Sequence, residues 1–270
     1  MTLKYQVRYY KTFLNFFCTI SQVKYKNLLF KLLSNLSPDF NKELTNLLYE
    51  NSDIVIFDVG FYKGSFSKQL VTRLISRKII KKIEVISFEP NTSINQNEFK
   101  KFVKKNNIIW NHYTNALGNI DGLENFTVLE NFPPSGSSLN NILVDSLWLK
   151  TRRFLFSPFT SKKINLKTFE VEVKKIDTMF PNQSKMDILK IDVEGFSFEV
   201  LEGSISLIKK LKPIIQVEIL SKKKNFGIYE TKLKNLMNDL GYSEYAKKKH
   251  YTTHWLSDII CTDYLFVPII

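Results

Sequence analysis

From Asp53 onward, short apolar runs alternate with stretches of helical period, and that alternation leaves few folds open. Ile54–Asp58 reads as a buried strand, 64–80 as a helix, IEVISF (83–88) as a second strand, 92–105 as a helix and 108–117 as a third strand. The rhythm breaks after that. IDGLENFTVLE (120–130) reads as a hairpin, 142–168 is irregular and basic, and FEVEVKKI (169–176) alternates like an exposed strand. It then resumes with MDILKIDV (186–193) as a strand, 198–210 as a helix, PIIQVEIL (213–220) as a strand and 230–240 as a helix closed by Gly241. GYSEYAK and 259–267 supply two more strands, expected as an antiparallel hairpin. Parallel neighbours need a crossover between them, so this order predicts an α/β fold, a parallel sheet with helices on both faces. The expected organisation is an N-terminal helical extension over 1–50 and a domain over 51–270 that carries a hairpin and loop insertion at about 120–176.

In the extension, Phe13, Phe16, Phe17 and Ile20 fall at helical spacing, and Leu28, Leu29, Leu32, Leu33 and Leu36 continue an apolar face. Ser37-Pro38-Asp39 breaks it, with a short helix expected over 39–50. Packing on the domain or on a second copy is the expected use of this stripe; its neighbouring Lys and Arg leave peripheral membrane contact open. No segment reaches the roughly 18 apolar residues of a membrane span, and the N-terminus lacks a small-residue cleavage site, so a cytoplasmic protein is expected. Cys18 and Cys261 cannot make a disulfide framework. His250 and His254 have the outer spacing of a zinc-protease motif, but Tyr251 stands where its catalytic acid belongs, and no metal site is assigned.

The stretch IVIFDVGFYKGSFSK (54–68) places two of the chain's nine glycines directly after a buried strand. Parallel sheets bind ligands beyond the carboxyl ends of their strands, where strand order reverses. Gly60 would let the backbone turn and approach a ligand without a Cβ, and Gly64 would let the next helix start close by. The spacing is G-x-x-x-G, which lacks the third glycine of a dinucleotide fingerprint. Asp58 at its mouth would repel a pyrophosphate and suit an ammonium group. Glu89 ends the second strand, where an acid can accept hydrogen bonds from ribose hydroxyls. An adenosine carrying an amino-acid tail satisfies both acids, and that molecule is S-adenosylmethionine.

FDVGFYKGSFS, VISFEPN, NALGNIDG, SGSS, KKIDTMF, DILKIDVEGFSFEVLEG, PIIQVEI and the GYSEY turn follow one another as in the FkbM-type methyltransferases, which this chain resembles over about 52–267. The resemblance implies the seven-stranded, Rossmann-like class I methyltransferase fold with one antiparallel strand near the C-terminus. It implies S-adenosylmethionine as cofactor, and transfer to a hydroxyl of a sugar, glycan or other natural product. It places Asp58, Gly60, Phe61 and Gly64 around the methionine moiety, Glu89, Pro90 and Asn91 at the ribose, and Asn115, Ala116 and Leu117 by the adenine. The family commonly has Ala-Asn after D-V-G. Phe61-Tyr62 here puts bulk near the methionine end.

A hydroxyl nucleophile needs a base. Lys190, Asp192 and Glu194, at the end of the fourth strand, alternate onto one side of it and are the expected catalytic groups, with Asp192 also facing the cofactor. Glu218 is expected to contact substrate. Pro133-Pro134-Ser135-Gly136-Ser137-Ser138 reads as a substrate-side lid, with Ser137 and Ser138 in contact with the acceptor. The net charge of +13 raises RNA as a partner, especially through Lys100, Lys101, Lys104 and Lys105. But the N/D-P-P-Y/F signature of base methylation is absent from the fourth strand, and a nucleic-acid partner is not expected. The rival classes are an RNA-directed methyltransferase and a catalytically degenerate binding module of the same fold.

Overall fold

A computed structural model describes residues 40–48, 53–77, 82–130, 139, 165–250 and 258–269. The leucine and phenylalanine stripes of 1–39, the Ser137–Ser138 loop, the basic stretch before 165 and the residues between His250 and His254 lie outside the described residues.

Seven strands form the main sheet: β1 (Ile54–Val59), β2 (Ile83–Phe88), β3 (Ile109–Tyr113), β7 (Ile188–Ile191), β8 (Ile214–Lys222), β9 (Tyr242–His250) and β10 (Ile259–Pro268). Their order is β3-β2-β1-β7-β8-β10-β9. β1 pairs in parallel with β2 and β7, β2 with β3, and β7 with β8, whereas β10 runs antiparallel to both β8 and β9. The chain builds outward from β1 to β3 and then returns to the other side of β1. The strand order therefore reverses between β1 and β7, and a crevice opens there.

The central strands are apolar because both faces are covered. All six residues of β1 and all four of β7 are buried. One face packs against α2 (Ser65–Ser76) and α3 (Asn97–Asn106) through Ile54, Ile56, Leu70, Val71, Leu74 and Phe99. The other packs Phe57, Leu189 and Val217 against α5 (Ser197–Glu202), α6 (Ile205–Leu211) and α7 (Phe226–Asp239). α1 (Phe40–Leu47) joins the first face through Phe40 and Leu44, and Arg77 donates to the Thr45 carbonyl at 3.1 Å. This last turn of the N-terminal segment thus packs on the domain. Among the described residues, no helix is long and apolar enough to cross a membrane.

Three local expectations are corrected. The helix expected over 198–210 is two helices, α5 and α6, broken at Gly203 and Ser204. A Cβ on Gly203 would lie 1.8 Å from the Gly118 carbonyl oxygen, so the helix gives way where another backbone crosses it. The third strand stops at Tyr113; Ala116–Leu117 is a separate strand, β4, that leaves the main sheet. β5 (Gly122–Glu130) is one strand of a hairpin, not a whole one. It pairs antiparallel with β6 (Asn165–Lys174), which also takes β4 in parallel, giving a second sheet ordered β4-β6-β5. A short α4 (Ile176–Met179) leads back to the main sheet.

Candidate active site

A cleft of about 210 Å³ opens at the carboxyl ends of β1, β2 and β7. Val59, Gly60, Tyr62, Glu89, Pro90, Asp192 and Glu194 line it from the main sheet. Asn115, Ala116, Leu117, Phe126 and Leu139 close it from the side of the second sheet. The insertion is therefore a wall of the site.

The turn after β1 is built by close packing. Gly60 has φ +76°, and a Cβ there would lie 1.8 Å from the Asp192 carbonyl oxygen. The approach that demands glycine is thus to the protein's own β7 turn, not to a ligand. Gly64, with φ +74°, faces the rings of Phe61 and Phe99. Phe61 is buried away from the cleft. Its ring meets Phe99 edge-on at 4.9 Å and stacks on Trp110 at 5.7 Å. Of the bulk expected at the methionine end, the turn swings Phe61 into the core and leaves Tyr62 at the cleft. Phe61→Leu should lower stability by about 1–2 kcal/mol in urea unfolding while leaving cofactor affinity, read by calorimetry, within about twofold.

Glu89 is almost wholly buried. Its Oε2 accepts from the Tyr62 N–H at 2.8 Å and its Oε1 from the Asn91 N–H at 3.0 Å. Burial raises its pKa, and these two hydrogen bonds, with Asn91's the larger, pull against that. Each oxygen keeps a further lone pair, so the carboxylate is held rigidly and can still accept from a ligand. Asn91 itself is buried, with its Oδ1 accepting from the Ser93 N–H and hydroxyl; it shapes the turn and does not line the cleft. Asn115 donates to Glu172 at 2.7 Å.

Asp58 is 0% exposed and lies behind the cleft wall. It stands in register with Lys190 on the neighbouring strand, and the two side chains pair at 3.1 Å. The Ser67 hydroxyl donates to its other oxygen at 2.6 Å. The ammonium expected beside Asp58 is therefore the protein's own. Lys190 also donates to the Gly60 carbonyl at 2.7 Å and the Val59 carbonyl at 3.2 Å, and lies 3.6 Å from Asp192. Burial works against its charge, but Asp58 and then Asp192 outweigh that, and its pKa stands above the usual lysine value. Its position is that of a clamp on the β1 turn.

Glu194 lies beyond the end of β7, so the pleat does not direct it. Its backbone is left-handed, φ 54°. Among the described residues four non-glycine residues have such backbones. Asn107 and Lys212 cap helix C-termini; the other two, Tyr62 and Glu194, both line the cleft. Residues held in this sparse region gather at functional sites. Burial and the nearby Asp192 push the Glu194 pKa up to about 8, against the pull of Lys190.

Glu218 is the first residue of β8 past its pairing with β7. One carboxylate oxygen from each of Asp192, Glu194 and Glu218 falls within 4.8 Å of the other two. Burial, then Asp192 and Glu194, hold the Glu218 carboxyl well above its ordinary range. The Cys261 thiol donates to Glu218 Oε2 at 2.8 Å, and burial raises the thiol pKa further. Phe126, Leu139 and Phe196 also line the cleft, where the sequence pattern did not place them, and Tyr62 is the half of the Phe61-Tyr62 pair that reaches it. The left-handed turn at Tyr62 and the docking of the second sheet have no local signature in the sequence.

A 3-2-1-4-5-7-6 sheet, with an acid after its second strand and a cleft at the switch point, has the class I methyltransferase fold. Residues 58–244 match the methyltransferase FkbM domain, and the chain belongs to that family. Its cofactor is S-adenosylmethionine. No curated protein matches the chain. Among solved structures it is similar to an FkbM methyltransferase from Methylobacillus flagellatus KT, with 14% identity, 87% of this chain and 53% of that one covered, and a TM-score of 0.47. It is also similar to M. jannaschii TYW2 in complex with AdoMet (13% identity, 86% and 75% covered, TM-score 0.39) and to an rRNA methylase from Streptococcus thermophilus (8% identity, 86% and 95% covered, TM-score 0.42). The chain thus spans about half the length of the first of these.

Proposed function

We propose that the protein methylates a hydroxyl of a sugar, glycan or related natural product. The observation that carries this reading is the carboxylate pair of Asp192 and Glu194 that lines the cleft, with a Glu218 carboxylate oxygen within 4.8 Å of both. S-adenosylmethionine supplies an electrophilic methyl group, whose transfer makes a C–O bond, breaks the C–S bond and leaves a neutral thioether. An attacking hydroxyl must lose its proton, and a carboxylate of this group takes it. Orientation is the other requirement, and the Gly60 turn, Glu89 and the apolar wall of Ala116 and Leu117 serve it. Glu89 would hold the ribose hydroxyls through its remaining lone pairs; Ala116, Leu117 and Ile94 would flank the base. With Asp58 answered by Lys190, the counter-charge for the cofactor's ammonium comes from the acids at the end of β7.

Several acids at the site disfavour a polyanion, so RNA is the weaker acceptor despite the basic surface. The degenerate-module reading leaned on Phe61-Tyr62, and the burial of Phe61 removes much of that support.

Calorimetric titration with S-adenosylmethionine should give micromolar binding to the wild type. Glu89→Ala, with its fold checked by circular dichroism, should weaken it by at least tenfold, since a hydrogen bond to a charged group contributes about 1.5–3 kcal/mol. Labelled methyl transfer to a panel of glycans and hydroxylated natural products tests the reaction. Binding without transfer to any hydroxyl acceptor would count against the enzyme and favour the binding module.

A further inference from the structure

We propose that Asp192, Glu194 and Glu218 bind a hard divalent cation, magnesium or manganese in kind, at the carboxyl ends of β7 and β8. The first observation is geometric. Oxygens bound to one hard divalent cation, at about 2.0–2.6 Å depending on the ion, can lie no further apart than about 4–5 Å, the span across it. The three carboxylates meet that limit in every pair. They come from a strand-end turn, a left-handed residue and the adjacent strand, so a ligand there would bridge β7 and β8.

The second observation is independent of the clustering. Glu218 Oε1 is shut off from solvent and has no hydrogen-bond partner, although the other oxygen of the same carboxylate accepts from Cys261. A buried carboxylate oxygen with nothing to accept from is costly. A cation held jointly with Asp192 and Glu194 would give it a partner. Charge points the same way. The carboxylates of Asp58, Asp192, Glu194 and Glu218 gather about Lys190, whose ammonium is already bound to Asp58 and two carbonyls.

Glu218, Cys261 and Asp263 form a second grouping of donors. There the thiol keeps its proton and gives it to Glu218, so Cys261 is a hydrogen-bond donor and not a metal ligand. The set of Asp192, Glu194 and Glu218 is all oxygen, which selects a hard cation over zinc or copper. Three protein oxygens leave positions for water and for an acceptor hydroxyl. An ion there would lower the pKa of that hydroxyl and fix its oxygen towards the methyl group, with the proton passing to a carboxylate oxygen of the group that the ion leaves free. Only this last role rests on the methyl-transfer reading; ion binding does not.

The test is a manganese titration of the full-length protein, without cofactor, followed by electron paramagnetic resonance of the free ion. One ion per chain is expected, with a dissociation constant below about 1 mM, and with a rise in thermal midpoint as the ion is added. Glu218→Gln and Glu194→Gln should each weaken binding by about tenfold or more, and Glu218→Gln should melt no lower than the ion-free wild type because it removes a buried charge. Should Glu218→Gln fail to fold, the half-buried Glu194→Gln carries the test. A free-ion signal untouched by folded wild type, or equal affinity in the glutamine variants, overturns the proposal. Because S-adenosylmethionine binding is measured separately, an ion site without cofactor binding would uphold this proposal and defeat the other.

Discussion

Gly60→Ala is expected to cost more than about 4 kcal/mol and to leave little folded protein. The added methyl group would lie 1.8 Å from the Asp192 carbonyl oxygen and 2.8 Å from its carbon. Those are backbone atoms at the end of a central strand, and no rotamer change can move them. The residue also sits at φ +76°, where an alanine is strained even in open space. Relief requires the β1 and β7 turns to separate, and the Gly60 carbonyl is one that Lys190 holds at 2.7 Å. Gly227→Ala is the matched control. It lies in α7, has nothing within 4 Å of its Cβ position, and should be neutral or stabilising by up to about 1 kcal/mol. Urea unfolding of the two variants side by side measures the difference. Equal stabilities would show that the turns can spread without penalty.

Lys190→Met should destabilise the protein by about 3–5 kcal/mol. The variant leaves Asp58 fully buried with only the Ser67 hydroxyl as partner, and strips two carbonyls of a donor. The cost belongs mostly to the abandoned carboxylate and not to the pair itself. Lys190→Met combined with Asp58→Asn should therefore recover a large part of the loss. A double-mutant cycle in urea reads the coupling. Additive losses would mean that the two charges are solvated independently. A catalytic role for Lys190 alone would instead lower turnover and leave the unfolding curve in place.

Much of the architecture is legible from local pattern. Continuous apolar runs mark β1, β2 and β7 because nearly every residue of each is buried, β8 is marked by the alternation of its buried residues, and most of the helices between them follow from spacing. Glu89 could be picked out for the same reason, since the end of a strand next to a sheet's first strand has a defined place. The second sheet was harder. β5 and β6 are adjacent in space but separated by more than thirty residues, and nothing local says that they pair. The broken helix at Gly203 is similar, for the cause is a carbonyl on Gly118.

What the sequence by itself determined is the order of strands and helices, the family, and the ends of strands at which acids collect. Periodicity and turn chemistry are properties of neighbouring residues, and they survive without the rest of the chain. What only the tertiary structure decided is which charges meet. Asp58 and Lys190 are 132 positions apart and become partners through the register of β1 on β7. That pairing turns an expected ligand contact into an internal clamp. Glu218 joins Asp192 and Glu194 through the neighbouring strand in the same way, and Phe61 leaves the cleft because an aromatic pocket from α3 and β3 receives it. Electrostatics and packing depend on distances through space, and those are set only when the strands align.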